Sequence, residues 1–124
     1  MAQYMLLIYD DESTWRGMSE EERNGVMGEY LAYTEELRDA GAYVAGDALQ
    51  PTSTARSVRM REGERLTTDG PFAETKEVLG GYYLVEAASD EEALDWAAKI
   101  PSARFGTIEV RPVVVFPTPA ETGP

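Results

Sequence analysis

The chain contains no cysteine. Disulfides, thiolate nucleophiles and Cys-based metal sites are excluded together, a composition that fits a reducing cytoplasm. Histidine is absent too, which removes the commonest general acid/base near neutral pH and the commonest zinc ligand. Basic residues are few: 11 Lys+Arg stand against 23 Asp+Glu, a formal charge of -12 over 124 residues. Such a surface repels polyanions, and nucleic-acid binding needs a basic face that displaces counterions. No stripe of that kind exists, since Arg56, Arg59, Arg61 and Arg65 are interleaved with Glu62 and Glu64. Neither nucleic acid nor an anionic membrane is an expected partner. Long apolar runs are also missing: Met5 to Tyr9 is far too short to span a bilayer, and no cationic leader precedes it. The expectation is a cytoplasmic protein with one hydrophobic core.

What is present reads as alternating strands and helices. Gln3 to Tyr9 is a strand apolar on both faces, with Tyr4, Leu6 and Ile8 on one and Met5, Leu7 and Tyr9 on the other; such a strand needs cover on both. Asp10 to Met18 reads as an acid-rich loop. Ser19-Glu20-Glu21-Glu22 is a capping box, opening a helix through Val26, Tyr30, Thr34 and Leu37 to about Ala40, stopped by Gly41. Tyr43 to Leu49 and Ala55 to Arg61 read as strands, and Arg65 to Thr68 as the return arm of a short hairpin after the Glu62-Gly63 turn. Gly81 to Ala87 is a further strand. Ser89 opens a second helix, with Ala93, Trp96, Ala97 and Ile100 at helical spacing before Pro101. Gly106 to Phe116 is the last strand, and Pro117 to Pro124 reads as a disordered tail.

This order predicts an α+β fold: a ferredoxin-like βαββαβ subunit with an antiparallel sheet and an extra hairpin arm, in one domain over residues 1–116. Two helices cover only one face of such a sheet. The first strand and Tyr82–Val85 are apolar on both, so a second copy of the chain is the simplest cover for the other face, and a homodimer is expected.

The densest functional-looking segment is Asp69-Gly70-Pro71-Phe72-Ala73-Glu74-Thr75-Lys76-Glu77, followed by Gly80-Gly81-Tyr82-Tyr83. Together with Tyr4 to Tyr9, Ala48 to Pro51 and Ile108 to Val113, it resembles the YCII-related family in its DGPF branch, over about residues 3 to 115. The resemblance implies a subunit that dimerises through its sheet, the dimeric α/β-barrel arrangement. The wider superfamily includes isomerases, lyases and dehalogenases acting on small aromatic or lactone intermediates in a cleft at the sheet. Members often occur beside or fused to extracytoplasmic-function sigma factors, so a sigma factor is an implied partner and a non-enzymatic regulatory module the alternative function. Some YCII-type enzymes use a His-Asp pair whose histidine lies on the first helix. Tyr30 stands there in this chain, so that mechanism does not carry over.

Residue by residue, two readings compete. Asp69 is either a turn starter before Gly70-Pro71 or a catalytic general base in a half-buried cleft. Glu74 and Lys76 are either solvated charges or ligand contacts, with Lys76 facing an anionic substrate. One of Tyr82 and Tyr83 is core, and Tyr82 is the candidate to present its hydroxyl to a ligand. Arg111 pairs with Glu109 or clamps a carboxylate. Asp47 interrupts an apolar strand, as a ligand contact or as the mark of a bulge. Carboxylates alone (Asp47, Asp69, Glu74) lack metal-site spacing, and no nucleotide fingerprint is present; no metal and no cofactor is expected. The expected ligand is a small anionic or aromatic molecule held near the DGPF motif, with catalysis left open.

Overall fold

The structure is a computed structural model and describes residues 1–117. Six strands and three helices follow in the order β1 (Ala2–Asp10), α1 (Glu12–Arg16), α2 (Glu20–Asp39), β2 (Tyr43–Ala48), β3 (Arg56–Arg61), β4 (Glu64–Asp69), β5 (Val78–Ala87), α3 (Asp90–Ala98) and β6 (Thr107–Pro112). Four strands form an antiparallel sheet in the order β2-β5-β1-β6. That is the order expected of a ferredoxin-like subunit, with each helix carrying the chain over an intervening strand. The remaining pair, β3 and β4, forms a separate two-stranded ribbon. It is the predicted arm, turning at Glu62 and Gly63, both at positive φ (52° and 79°) as a tight hairpin turn requires. The disordered tail expected after Pro117 lies outside the described residues.

Local sequence explains where the elements start. The Ser19 capping box forms: Ser19 Oγ accepts from Glu22 N at 3.0 Å while Glu22 Oε1 accepts from Ser19 N at 3.0 Å. The box expected over Ser89–Glu92 forms by half: Ser89 Oγ accepts from Glu92 N at 3.2 Å, but Glu92 Oε2 accepts from Ala88 N at 3.0 Å. Gly41, at φ 72°, turns the chain out of α2. The expected Asp10–Met18 loop is corrected, because Asp11 caps a short helix there, its carboxylate accepting from Ser13 N at 2.9 Å and Ser13 Oγ at 2.7 Å. β5 begins three residues earlier than Gly81 and β6 ends at Pro112 rather than Phe116, although Val113 N still donates to Gln3 O at 2.9 Å.

The core lies between α2, α3 and one sheet face. Tyr4, Leu6 and Ile8 of β1 and Tyr83, Val85 and Ala87 of β5 alternate inward against Tyr33 and Leu37 of α2 and Ala93 and Ala97 of α3. Rings meet edge to face, Tyr33 on Tyr83 at 5.1 Å and on Trp96 at 6.2 Å, and the Tyr33 hydroxyl donates to Trp96 O at 2.8 Å. β2 can lie on the Tyr83 ring because residue 46 is glycine; a Cβ there would stand 2.7 Å from Tyr83 Cδ1.

Among the described residues no helix lies on the opposite face. By alternation it presents Met5 and Leu7 of β1, Tyr82 and Leu84 of β5, Glu109 and Arg111 of β6, and Ala45 and Asp47 of β2. The apolar residues among them remain only partly buried.

Leu37 is fully buried and Leu31, on the same helix, is 71% exposed. Leu37→Ala is expected to cost about 2–5 kcal/mol and Leu31→Ala within about 0.5 kcal/mol, read from urea unfolding midpoints at constant slope.

Candidate functional site

The inward stripe of β1 does not end on an apolar residue. Tyr4, Leu6 and Ile8 are followed at the same parity by Asp10, which carries a carboxylate to the edge of the core. Two close approaches make room for it. The Cβ missing from Gly80 would lie 3.4 Å from Asp10 Oδ1, and the one missing from Gly106 would lie 3.0 Å from Asp10 Cβ and 2.3 Å from Tyr9 O. Gly80 is also the extra residue where the β1–β5 register shifts between Ile8 and Tyr9.

Asp10 opens into a cleft of about 490 Å³ between α2, the ends of β2 and β5, and α1. Its walls include Trp15, Met27, Tyr30, Leu31, Tyr43 and Tyr83. A hydroxyl network fixes the aromatic wall. Thr34 Oγ1 donates to Tyr30 O at 2.9 Å; having one proton, it accepts from the Tyr83 hydroxyl at 2.8 Å. The Tyr30 hydroxyl shares a hydrogen bond with Ser102 Oγ, from the turn that follows α3. Burial raises both phenols above the ordinary tyrosine range, so they stay protonated.

Two neighbouring carboxylates are driven apart. Burial, and then the charges of Glu12, Glu77 and Asp11, raise the Asp10 carboxyl above its usual range. Among the described residues no hydrogen bond reaches it. Glu12 moves the other way, because its carboxylate accepts from Thr52 Oγ1 at 2.6 Å and from Thr52 N at 2.8 Å. Two titratable groups shifted in opposite directions at one cleft are a mark of acid/base assignment: hydrogen bonds hold Glu12 ionised and tie α1 to the turn at Thr52–Thr54, while burial and neighbouring acids hold the Asp10 carboxyl above its usual range.

The residues singled out in the sequence are not brought together. Asp47 and Tyr82 are, since the Tyr82 hydroxyl donates to Asp47 Oδ2 at 2.7 Å across β2 and β5. Both border the cleft, although alternation points their side chains to the helix-free face. Asp47 marks no bulge; the β2 register shift lies between Tyr43 and Ala45. Glu74 and Lys76 line a second hollow of about 430 Å³ with Asp11, Glu12 and Arg16. Arg111 is exposed on β6, opposite Met5. Three strand spacings, about 14 Å, separate β6 from β2. Asp69 ends β4 on the arm, 93% exposed and 3.5 Å from Arg56, and it borders neither hollow. The half-buried cleft expected around Asp69 is formed around Asp10 instead. Gly70 carries the structural part of the motif: at φ 91° it donates to Ala55 O at 2.7 Å and accepts from Ser57 Oγ at 2.9 Å. Asp10, Ser102 and Thr34 were not recognised as site residues from sequence. The available signal was an acid continuing a buried stripe.

The profile of the YCII-related domain matches residues 2–117. The chain belongs to the YCII-related family. An uncharacterized protein of Rhizobium meliloti (strain 1021) is 41% identical over 115 residues, which cover 91% of this chain and 93% of that protein. This YCII-related chain has no helix among the described residues long and apolar enough to cross a membrane. Among those residues no group of three or more acids is placed to hold a metal ion.

A carboxyl raised on folding stabilises the protein fully below the ordinary carboxylate range, and that contribution is lost as pH rises through the raised value. Asp10→Asn is therefore expected to melt higher than the parent at neutral pH and at the same temperature in acid. Thermal melts across pH check this; a variant less stable at neutral pH would show that the carboxylate serves the fold.

Proposed function

We propose that this YCII-related protein binds a small molecule with a flat, largely apolar body in the Asp10 cleft, and that Asp10 transfers protons to and from it in an isomerase- or lyase-like reaction. The observation that carries this is the half-buried, unpaired carboxylate at the end of an aromatic-walled cleft of about 490 Å³, a volume typical of small-molecule sites. As the carboxylate, Asp10 takes a proton from one position of the ligand; as the carboxylic acid it returns that proton to another position, giving an isomer, or to a departing group, giving elimination. Tyr30, held protonated through burial, donates a hydrogen bond to a ligand oxygen, with Ser102 Oγ supplying the proton of the bond the two share. The acidity of the chain supports docking of a basic protein such as a sigma factor only in general terms, whereas the cleft supports a small ligand in particular.

A second copy belongs to the same proposal. The helix-free face carries Met5, Leu7 and Leu84 over adjacent strands, and two such faces laid together would form the dimeric α/β-barrel arrangement, with Arg111 and Glu109 of each copy at its border. Two copies each carrying a charge of -12 repel, so the association should tighten with salt.

Two measurements test these statements. A thermal-shift screen of phenols, hydroxylated aromatic acids and lactones is expected to yield compounds that raise the melting temperature by several degrees near saturation. Leu31→Trp, which fills the cleft, should abolish the shift; Asp10→Asn should keep binding of uncharged phenols and lactones and lose turnover. A shift that survives Leu31→Trp unchanged would place the ligand elsewhere. Light scattering on a sizing column should give twice the subunit mass, falling to one subunit in Leu84→Asp. A parent that runs as a monomer at micromolar concentration excludes the dimer.

A further inference from the structure

The charge around the cleft is one-sided. Its lining includes Asp10, Glu12 and Asp47 and no lysine or arginine. Arg16 and Lys76 line the second hollow, where their charges act on Asp11 and Glu12, while Arg38 lies over the Tyr43 ring and Arg23 holds the Trp15 carbonyl, neither of them lining the cleft. Asp10 has neither a cation nor a hydrogen-bond donor beside it, and its charged neighbours are Asp11, Glu12 and Glu77. Glu77 is itself held by Thr107 Oγ1, which donates to Glu77 Oε1 at 2.9 Å. A carboxylate left unpaired in a partly desolvated position is costly, and a positive ligand group is what would complete it. An anion brought there meets repulsion from several carboxylates at once.

The walls fit the same charge. Trp15 stands half-buried over the cleft on α1, with Arg23 donating to its carbonyl at 3.4 Å. Tyr30 and Tyr83 are fixed by hydroxyl bonds from the other side. Aromatic faces attract organic cations, and rings of this chain already do so: the Arg38 guanidinium lies 4.8 Å from the ring centroid of Tyr43, itself a wall of the cleft, and the Lys99 ammonium 5.1 Å from that of Trp96.

Resting on the proposal that this cleft is the ligand site, we infer that its ligand is a small aromatic molecule bearing a protonated amine, the ring lying against Trp15 and Tyr30 and the ammonium on the Asp10 carboxylate. The anionic ligand considered from sequence depended on Lys76 and Arg111, and neither lines the cleft. An inorganic cation is a poorer occupant, because no group of three acids among the described residues is placed to ligate one.

Three probes of one shape and different charge test this: tyramine, 4-ethylphenol and 4-hydroxyphenylacetate. Calorimetric titration of the full chain at neutral pH is expected to show tyramine binding at least about tenfold tighter than 4-ethylphenol, about 1.4 kcal/mol, with 4-hydroxyphenylacetate weakest. The preference should shrink with added salt. In Asp10→Asn tyramine and 4-ethylphenol should bind alike, and Glu12→Gln should weaken the preference only partly. If 4-ethylphenol or 4-hydroxyphenylacetate binds as tightly as tyramine and Leu31→Trp abolishes that binding, the inference about charge fails and the cleft stands. If tyramine leads but Asp10→Asn retains the preference, the ammonium partner is misassigned. If none of the three binds, the cleft proposal and the charge inference fail together.

Discussion

A strand with neighbours on both sides must send its side chains alternately to two faces, and β1 is the strand on which this constraint falls hardest. It pairs with β5 on one side and β6 on the other, so a one-residue slip would exchange every side chain between core and outer face. Tyr4, Leu6 and Ile8 fix the register by packing under the helices. The same alternation then delivers Asp10 to the helix side, where nothing apolar is left for it to displace. The acid at the cleft is thus a consequence of the strand that organises the core. Moving it would require re-registering the sheet.

Around it the polar accounting is nearly complete. No buried side-chain nitrogen or oxygen among the described residues lacks a partner. Tyr33 bonds to the Trp96 carbonyl, Tyr83 to Thr34, Tyr30 to Ser102 and Tyr4 to Asp90 at 2.8 Å. Tyr83 and Tyr4 thereby tie the sheet to α2 and α3, Tyr33 ties α2 to α3, and Tyr30 ties α2 to the turn after α3; the net gain per bond is small but the cost of leaving it unmade is not. Against that background the unbonded, half-buried Asp10 stands out. A structure that gives these four tyrosine hydroxyls partners leaves a half-buried acid open toward a cavity, a local cost of the kind that sites carry.

Fold and site were legible to different degrees for one reason. Periodicity and capping are local properties, so the alternation in β1 and β5 and the Ser19 and Ser89 capping signals could be read directly, and the ferredoxin-like order followed. The site depends on which strand ends and loops converge, and no local pattern encodes that. DGPFAETKE drew attention because it is dense in polar residues, yet Gly70 holds a turn while Asp69 faces solvent on the arm. Tyr30 reads from sequence as part of the periodic face of the first helix and as the occupant of the family's histidine position, and neither marks it as the cleft wall it forms. Asp10 reads as the first residue of an acid-rich loop. The parity of the strand, carried one step further, places it on the face of Ile8.

Without histidine or cysteine, a protein has few groups able to exchange a proton near neutral pH, and a carboxylate reaches that range only when water is partly removed and positive charge is kept away. Both act in that direction at Asp10, whose carboxyl is raised above its usual range. The first comes from the core, because the glycines at 80 and 106 let backbone close around it. The second comes from composition, since an excess of acids surrounds it with Asp11, Glu12 and Glu77 and no base. The overall charge, which looks like a bulk property favouring solubility, therefore acts locally as well. It helps to raise the carboxyl of Asp10, and it sets the sign of the field that any ligand entering the cleft must match.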